Sequence, residues 1–159
     1  MLVMVVTEER LSELVAVDRE QGLTLALANG CFDLLHVGHI RYLRGSAAEA
    51  DRLIVAINDD QSVEALKGEG RPLQPASERA EIVEAFEMVD YVVLFSSLTV
   101  ENLLRAIRPD VHCKGTDYTI GSVPERDVVL SYGGQTVIVG DPKDHATRDL
   151  IVKMGATKP

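Results

Sequence analysis

Two histidines three residues apart, His36 and His39, flank Val37-Gly38 shortly after Asn29-Gly30-Cys31-Phe32-Asp33. Side chains at i and i+3 of a helix share one face, so both imidazoles can act on one ligand. Gly38 has no side chain to keep that ligand from the backbone. The apolar run Leu23 to Ala28 reads as a buried strand, and residues 37–50 carry Ile40, Leu43 and Ala47 at helical spacing. A strand therefore turns at Asn29-Gly30 into a helix. The open N–H groups and positive dipole end of that helix suit an anion. A histidine at a helix start is by itself more often structural, and Asn-Gly is a common turn. The conjunction of strand, turn, Gly30, Asp33 and His-x-Gly-His points to phosphate.

The elements that must hold this turn read off in order. Thr7 is an N-cap followed by acidic Glu8 and Glu9, and Leu11, Leu14 and Val15 give an amphipathic helix ending near Gly22. Leu53 to Ile57 is a second doubly buried run, with Asn58, Asp59 and Asp60 at its carboxyl end, where open α/β sheets place ligands. A short helix spans about Gln61 to Leu66. Residues 67–75, with Gly68, Gly70, Pro72 and Pro75, form a loop. Ser77 caps a helix running to about Glu87. Tyr91 to Phe95 is a strand, Thr99 starts a helix that stops before Pro109, and Val111 to Cys113 is a short strand. A loop to Pro124 leads to a helix over 125–132, which Gly133-Gly134 ends. Thr136 to Val139 is the last strand. The loop from Asp141 to Thr147 feeds a final helix over Arg148 to Met154, and Lys158-Pro159 is expected to be disordered. The alternation predicts one domain over 1–159, an α/β, Rossmann-like, doubly wound parallel sheet of about five strands with helices on both faces.

With 46% hydrophobic and 26% charged residues in 159, the chain has the balance of a soluble globular domain. No apolar run reaches the ~20 residues needed to span a bilayer. Met1 to Val6 lacks a basic leader, so a cytoplasmic location is expected. Cys31 and Cys113 are the only cysteines and form no Cys-x-x-Cys pair, which argues against a zinc site or a disulfide framework. A net charge of −9 without a basic block argues against nucleic acid or an anionic membrane as partner. Any phosphate site must gather its cations locally.

Gly30-Cys-Phe-Asp33 followed by His36-Val-Gly-His39 resembles the signature of the HxGH cytidylyltransferase-like nucleotidyltransferases. Further stretches are similar to the adenylyltransferase domain of ADP-heptose synthesis, over nearly the whole chain. They are Leu66-Lys-Gly-Glu-Gly-Arg-Pro72, Glu78-Arg-Ala80, Val89-Asp-Tyr-Val92, Arg108-Pro-Asp110 and Lys114-Gly115-Thr-Asp117-Tyr118. The resemblance implies attack of a sugar phosphate oxygen on the α-phosphorus of a nucleoside triphosphate, with Mg²⁺ held through the phosphates and pyrophosphate leaving. A phosphate monoester is already largely ionised at neutral pH, so positioning and charge neutralisation suffice without a general base.

In this reading His36 and His39 donate to nucleotide phosphates, and the amides of Gly30, Cys31 and Phe32 support the substrates. Lys67 is a mobile cation in the Gly-rich loop, with Arg71 contributing. Asp33 orients Lys114 or a histidine, helps hold Mg²⁺ through water, or caps a helix. Asn58 lies at a strand end facing the ligand. Arg79, a cation opposing the dipole at a helix start, is assigned to phosphate or sugar phosphate. Lys114 pairs with a substrate phosphate, Asp117 with hydroxyls, and Tyr118 packs on a ring; ordinary turn chemistry is the competing reading for the last two. His112 reads as structural, and His145 as a ligand or a solvated loop residue.

The family's Ser-Thr-Thr or Ser-Thr-Lys step at the last helix start is His145-Ala146-Thr147-Arg148 here. Thr147 then offers hydroxyl and amide to a phosphate, and Arg148 faces the nucleotide or sugar phosphate in place of the hydroxyl missing at Ala146. The resemblance further implies a homodimer and a separate sugar kinase upstream. A cytidylyltransferase for glycerol 3-phosphate or a similar phosphoalcohol is the enzymatic alternative. A non-catalytic nucleotide-binding module is the other.

Overall fold

The protein is described here as a computed structural model covering residues 4–142 and 145–156. In chain order the elements are β1 Met4–Val6, α1 Glu8–Glu20, β2 Leu25–Gly30, α2 Val37–Ala47, β3 Arg52–Asn58, α3 Asp60–Lys67 and α4 Ala76–Glu84. These are followed by β4 Tyr91–Phe95, α5 Glu101–Ile107, β5 Val111–Lys114, α6 Arg126–Ser131, β6 Gln135–Ile138 and α7 Thr147–Ala156, with a single 3₁₀ turn Ile120–Ser122 before α6. The strands form one parallel sheet in the order β1-β4-β3-β2-β5-β6.

Alternation along the strands builds two cores, one on each sheet face. Leu25, Leu27, Ile54, Ala56, Tyr91, Val93 and Phe95 face Leu11 and Val15 of α1, Leu103, Leu104 and Ile107 of α5, and Val128 and Val129 of α6. Ala26, Ala28, Leu53, Val55, Ile57, Val92 and Cys113 face Leu43 of α2 and Ala80 and Val83 of α4. Strands buried on both faces read as continuous apolar runs, which is why the central ones were legible in sequence.

The strand order positions the site. From β2 the chain adds β3 and β4 on one side, then returns to place β5 on the other side of β2. Connections therefore diverge from the carboxyl ends of β2 and β5. That divergence opens the crevice where doubly wound sheets bind ligands, and Gly30 and Lys114 end the two strands.

The sheet has six strands where about five were expected. The sixth, β1, is three residues paired to β4 at the sheet edge, too short to show a period, and its Val5 amide is covered by Glu84 Oε1 at 3.2 Å. Ser77 is not the cap of α4. Pro75 takes that position with extended backbone and no side-chain cap, and Ser77 lies within the first turn. Lys67 is not a loop residue but the last residue of α3, where its charge favours the helix dipole; the turn begins at Gly68. The readings made for Met1 to Val3, Lys143, Asp144 and Lys158-Pro159 lie outside the described residues. Among the described residues no helix is long and apolar enough to cross a membrane.

α2 sits close on the end of β6 because Gly45 lets it. A Cβ at Gly45 would stand 3.0 Å from Val139 Cβ and 3.2 Å from the Gly140 amide nitrogen. Alanine gains about 1 kcal/mol of helix propensity over glycine, whereas overpacking against backbone costs about 1–3 kcal/mol. Gly45→Ala is therefore expected to lower stability in urea unfolding. A rise in stability would show that α2 is free to shift.

Candidate active site

α2 begins with its histidines turned back onto its own backbone. His36 is the N-cap, and its Nδ1 accepts the Gly38 amide at 3.1 Å. His39 Nδ1 accepts the His36 amide at 3.2 Å. Each Nδ1 is thus an acceptor, so in the neutral ring the proton is on Nε2, the atom turned away from the cap. The ring centroids lie 4.1 Å apart. Burial, with the neighbouring His36 adding to it, pulls His39 down to about 4, so at neutral pH it is an uncharged donor. This corrects one expectation: the amides of His36 and Gly38 do not stand open to an anion, because the imidazoles occupy them. Gly38 is required for the fold-back, since a Cβ there would stand 2.9 Å from His36 Cε1 and Nδ1. Phe32 lies beneath, 5.6 Å from the His39 ring, and the His145 ring is 6.3 Å from that of His36. A cavity of about 380 Å³ opens beside them, lined by His36, His145, Ala146 and the α7 face from Asp149 to Lys153.

Asp33 does not orient Lys114 or a histidine. Its carboxylate, buried, accepts Arg71 Nε at 2.9 Å and the amides of Leu73 at 2.8 Å and Gln74 at 3.1 Å. These donors outweigh desolvation and hold the carboxyl below its ordinary value. Gln74 Oε1 in return accepts the Leu34 amide at 3.2 Å. The flanking residues Phe32 and Leu34 have φ of 51° and 50°, left-handed backbone that an ordinary side chain rarely adopts. The hydroxyl of Thr147, at the start of α7, donates to the carbonyls of Asp33 at 2.9 Å and Leu34 at 3.1 Å. That hydroxyl therefore anchors the turn instead of standing open to a phosphate. Arg148, next to it, is exposed.

Arg79 is also redirected. It is fully buried: Nε donates to Gln74 O at 2.9 Å, Nη1 to the carbonyls of Cys31 and Asn58, and Nη2 to Asp60 at 2.8 Å. The helix-start cation ties together carbonyls at the carboxyl ends of β2 and β3, and so fixes the floor of the crevice. Asn58 is likewise internal, its Nδ2 donating to Ser62 Oγ at 3.2 Å and Ser97 O at 3.0 Å. Asn29 Oδ1 is 2.8 Å from His112 Nε2, and burial takes His112 down to about 3, in accord with its structural reading. Cys31 is half-buried with Sγ 4.0 Å from Asn58 Oδ1, and burial raises its thiol.

The remaining cations frame the opening. Lys67 is exposed at the end of α3. Lys114 is buried at the end of β5, its Nζ 4.5 Å from the Tyr118 ring centre and 3.8 Å from Glu125 Oε2. Gly115 gives the turn room, since a Cβ there would meet Asp117 Oδ1 at 3.0 Å. Gln74 and Glu125 were missed in sequence. Pro124-Glu125 before an apolar run marks a helix start, but nothing in the spacing pairs it with Lys114.

Comparisons with known proteins show the family. The family model for cytidylyltransferase-like proteins matches residues 27–154. The chain is 48% identical to the bifunctional protein HldE of a Caulobacter species over 143 residues, covering 90% of this chain and 29% of that protein. It is 44% identical to HldE of Pseudomonas entomophila, covering 89% and 30%. It thus spans less than a third of the length of these curated relatives. The solved lipopolysaccharide core biosynthesis protein of Thermoplasma volcanium superposes with a TM-score of 0.64 at 24% identity, over 77% of this chain and 100% of that one, a likeness of fold. The chain belongs to the cytidylyltransferase-like family of nucleotidyltransferases.

Two outcomes are expected from this geometry. Nitrogen NMR should show His39 as the neutral Nε2–H form at pH 7, titrating near 4. Because the folded value lies below the ordinary 6.5, His39 withdraws stability as pH falls from about 6.5 to about 4. A midpoint above 6 would mean that the cap is not formed. Asp33→Asn should release the 71–74 loop. Losing a charge-assisted bond of about 1.5–3 kcal/mol should speed amide exchange at Leu73 and Gln74 roughly 10- to 100-fold; unchanged exchange would place the anchor elsewhere.

Proposed function

We propose that this member of the cytidylyltransferase-like family is an adenylyltransferase acting on a heptose 1-phosphate. It joins AMP from ATP to the sugar phosphate and releases pyrophosphate. The observation that carries the reading is the pair of imidazoles 4.1 Å apart, each fixed at Nδ1 by a backbone amide, at the start of the helix that follows β2 at the switch point. Such donors suit the non-bridging and leaving oxygens of a triphosphate. A His39 that is neutral at working pH, with Nδ1 already occupied, is placed to donate rather than to collect a proton. That matches a nucleophile that arrives ionised.

In the proposed step an oxygen of the sugar phosphate attacks the α-phosphorus, the bond from that phosphorus to the bridging oxygen breaks, and the electron pair leaves with pyrophosphate. His36 and His39 hold the triphosphate. Lys67, at the rim, moves onto it as the loop of Gly68 and Gly70 adjusts, with Arg71 near. Lys114 takes the acceptor phosphate, with Asp117 and Tyr118 at the sugar. Thr147 acts through the turn it anchors, and Arg148 through its charge at the start of α7. Asn29, Asn58 and Arg79 support the crevice from within.

Among the described residues no group of three or more His, Cys, Asp or Glu could hold a metal ion, and Asp33 is committed to its loop. Mg²⁺ would be carried into this site on the triphosphate, where it would supply charge neutralisation. A kinase reaction must precede this one to install the acceptor phosphate. The heptose assignment is supported by the identity to proteins named HldE and by Lys114-Gly-Thr-Asp-Tyr118, where a glycerol 3-phosphate enzyme would carry a Gly-Asp-Asp-Trp-like loop.

The test is pyrophosphate release measured with ATP, CTP, GTP and UTP against heptose 1-phosphates and glycerol 3-phosphate. ATP with a heptose 1-phosphate is expected to be preferred. CTP with glycerol 3-phosphate as the best pair would overturn the assignment. His36→Ala and His39→Ala should each lower turnover ~10²–10³-fold with the fold intact. The double variant should lose less than the product of the two, because both rings act on one triphosphate.

A further inference from the structure

Among the described residues, the ion pair at the end of β5 is the one with both side chains more than nine-tenths buried. Lys114 follows Cys113, which pairs with Ala28 of β2, and its side chain shares the sheet face of His112. Its side chain is 9% exposed and that of Glu125, on the residue before α6, is 5% exposed. Their closest atoms are 3.8 Å apart, beyond hydrogen-bond length, and Glu125 Oε2 has no hydrogen-bond partner among the described residues. The ammonium rests over the Tyr118 ring, a contact that supports a cation. A buried carboxylate oxygen without a donor is destabilising, and a pair of apolar residues would fill the same space at no loss. Stability does not explain the pair. The geometry, however, leaves the N–H groups of Lys114 undirected by Glu125, so the lysine is compensated in charge without being consumed.

We propose that Glu125 is a positioning residue that keeps the Lys114 ammonium inside the crevice, aimed at the phosphate of the acceptor. Without its counter-charge the ammonium leaves a site more than nine-tenths buried for water, and the long side chain allows it. This inference rests on the reading of Lys114 as the acceptor-phosphate cation.

The test is a double-mutant cycle read in steady-state kinetics with ATP and the preferred sugar 1-phosphate. Glu125→Gln should raise the acceptor KM at least ~10-fold, with kcat and the KM for ATP changed less than about 3-fold. Glu125→Asp keeps the charge but withdraws it by one methylene, and should raise the acceptor KM about 3-fold. Both effects should vanish in a Lys114→Ala background, because Glu125 acts only through that lysine. The same KM change with and without Lys114, or an unchanged or lowered KM in Glu125→Gln, overturns the proposal. The aspartate arm decides if Glu125→Gln does not fold. An acceptor KM unaffected by Lys114→Ala itself would instead show that the role assigned to Lys114 has failed, and the inference with it.

Discussion

A carboxylate removed from water must be answered by donors, and the answer to Asp33 fixes most of the site. Arg71 Nε and the amides of Leu73 and Gln74 reach it from one loop, and that loop can lie nowhere else while they do. Held this way, Asp33 keeps Phe32 and Leu34 in left-handed backbone, at a cost of about 1–2 kcal/mol each. The left-handed pair in turn aims the Asp33 and Leu34 carbonyls at Thr147. One buried charge therefore sets the path from β2 into α2, the seat of the 71–74 loop and the start of α7.

The local parts of this were legible in sequence and the distant parts were not. His36 and His39 declare themselves because i, i+3 spacing is a property of one helix turn, and the central strands because burial on both faces leaves unbroken apolar runs. The partner of Asp33 lies 38 residues away, and that of Arg79 at Cys31 lies 48 away. No periodicity encodes such pairings, so neither Arg71 as the partner of Asp33 nor the Cys31 carbonyl as a partner of Arg79 is readable from sequence. The strain inferred for Arg79 at a helix start was a real signal with the wrong resolution. The cation is there for the carbonyls of Cys31 and Asn58 at the two strand ends. The Thr147 hydroxyl likewise bonds distant carbonyls, those of Asp33 and Leu34.

Charge is arranged with the same economy. In a chain of net charge −9, the cations nearest the crevice are already matched: Arg71 to Asp33, Arg79 to Asp60 and Lys114 to Glu125. A site of bare cations would be costly to hold before a ligand arrives. Matched pairs preorganise the positive groups while leaving their field close to neutral. On the proposed function, an anionic substrate would meet donors whose positions are already settled, and Lys67, exposed at the end of α3, would add a charge from outside these pairs.

The folded-back imidazoles tie both donors to the integrity of a single turn. The first turn of a helix is ordinarily among the easiest parts of a domain to fray. If α2 frays here, the His36 and Gly38 amides lose their acceptors, and both rings lose the contacts that select their tautomer. The two donors thus appear and disappear as one cooperative unit, not as two independent rotamers. The free energy of that small opening sets the fraction of molecules with both donors in place at any instant. On the proposed function, a triphosphate bound to the closed turn would shift that fraction by mass action, making occupancy of the site and folding of the turn a single linked equilibrium.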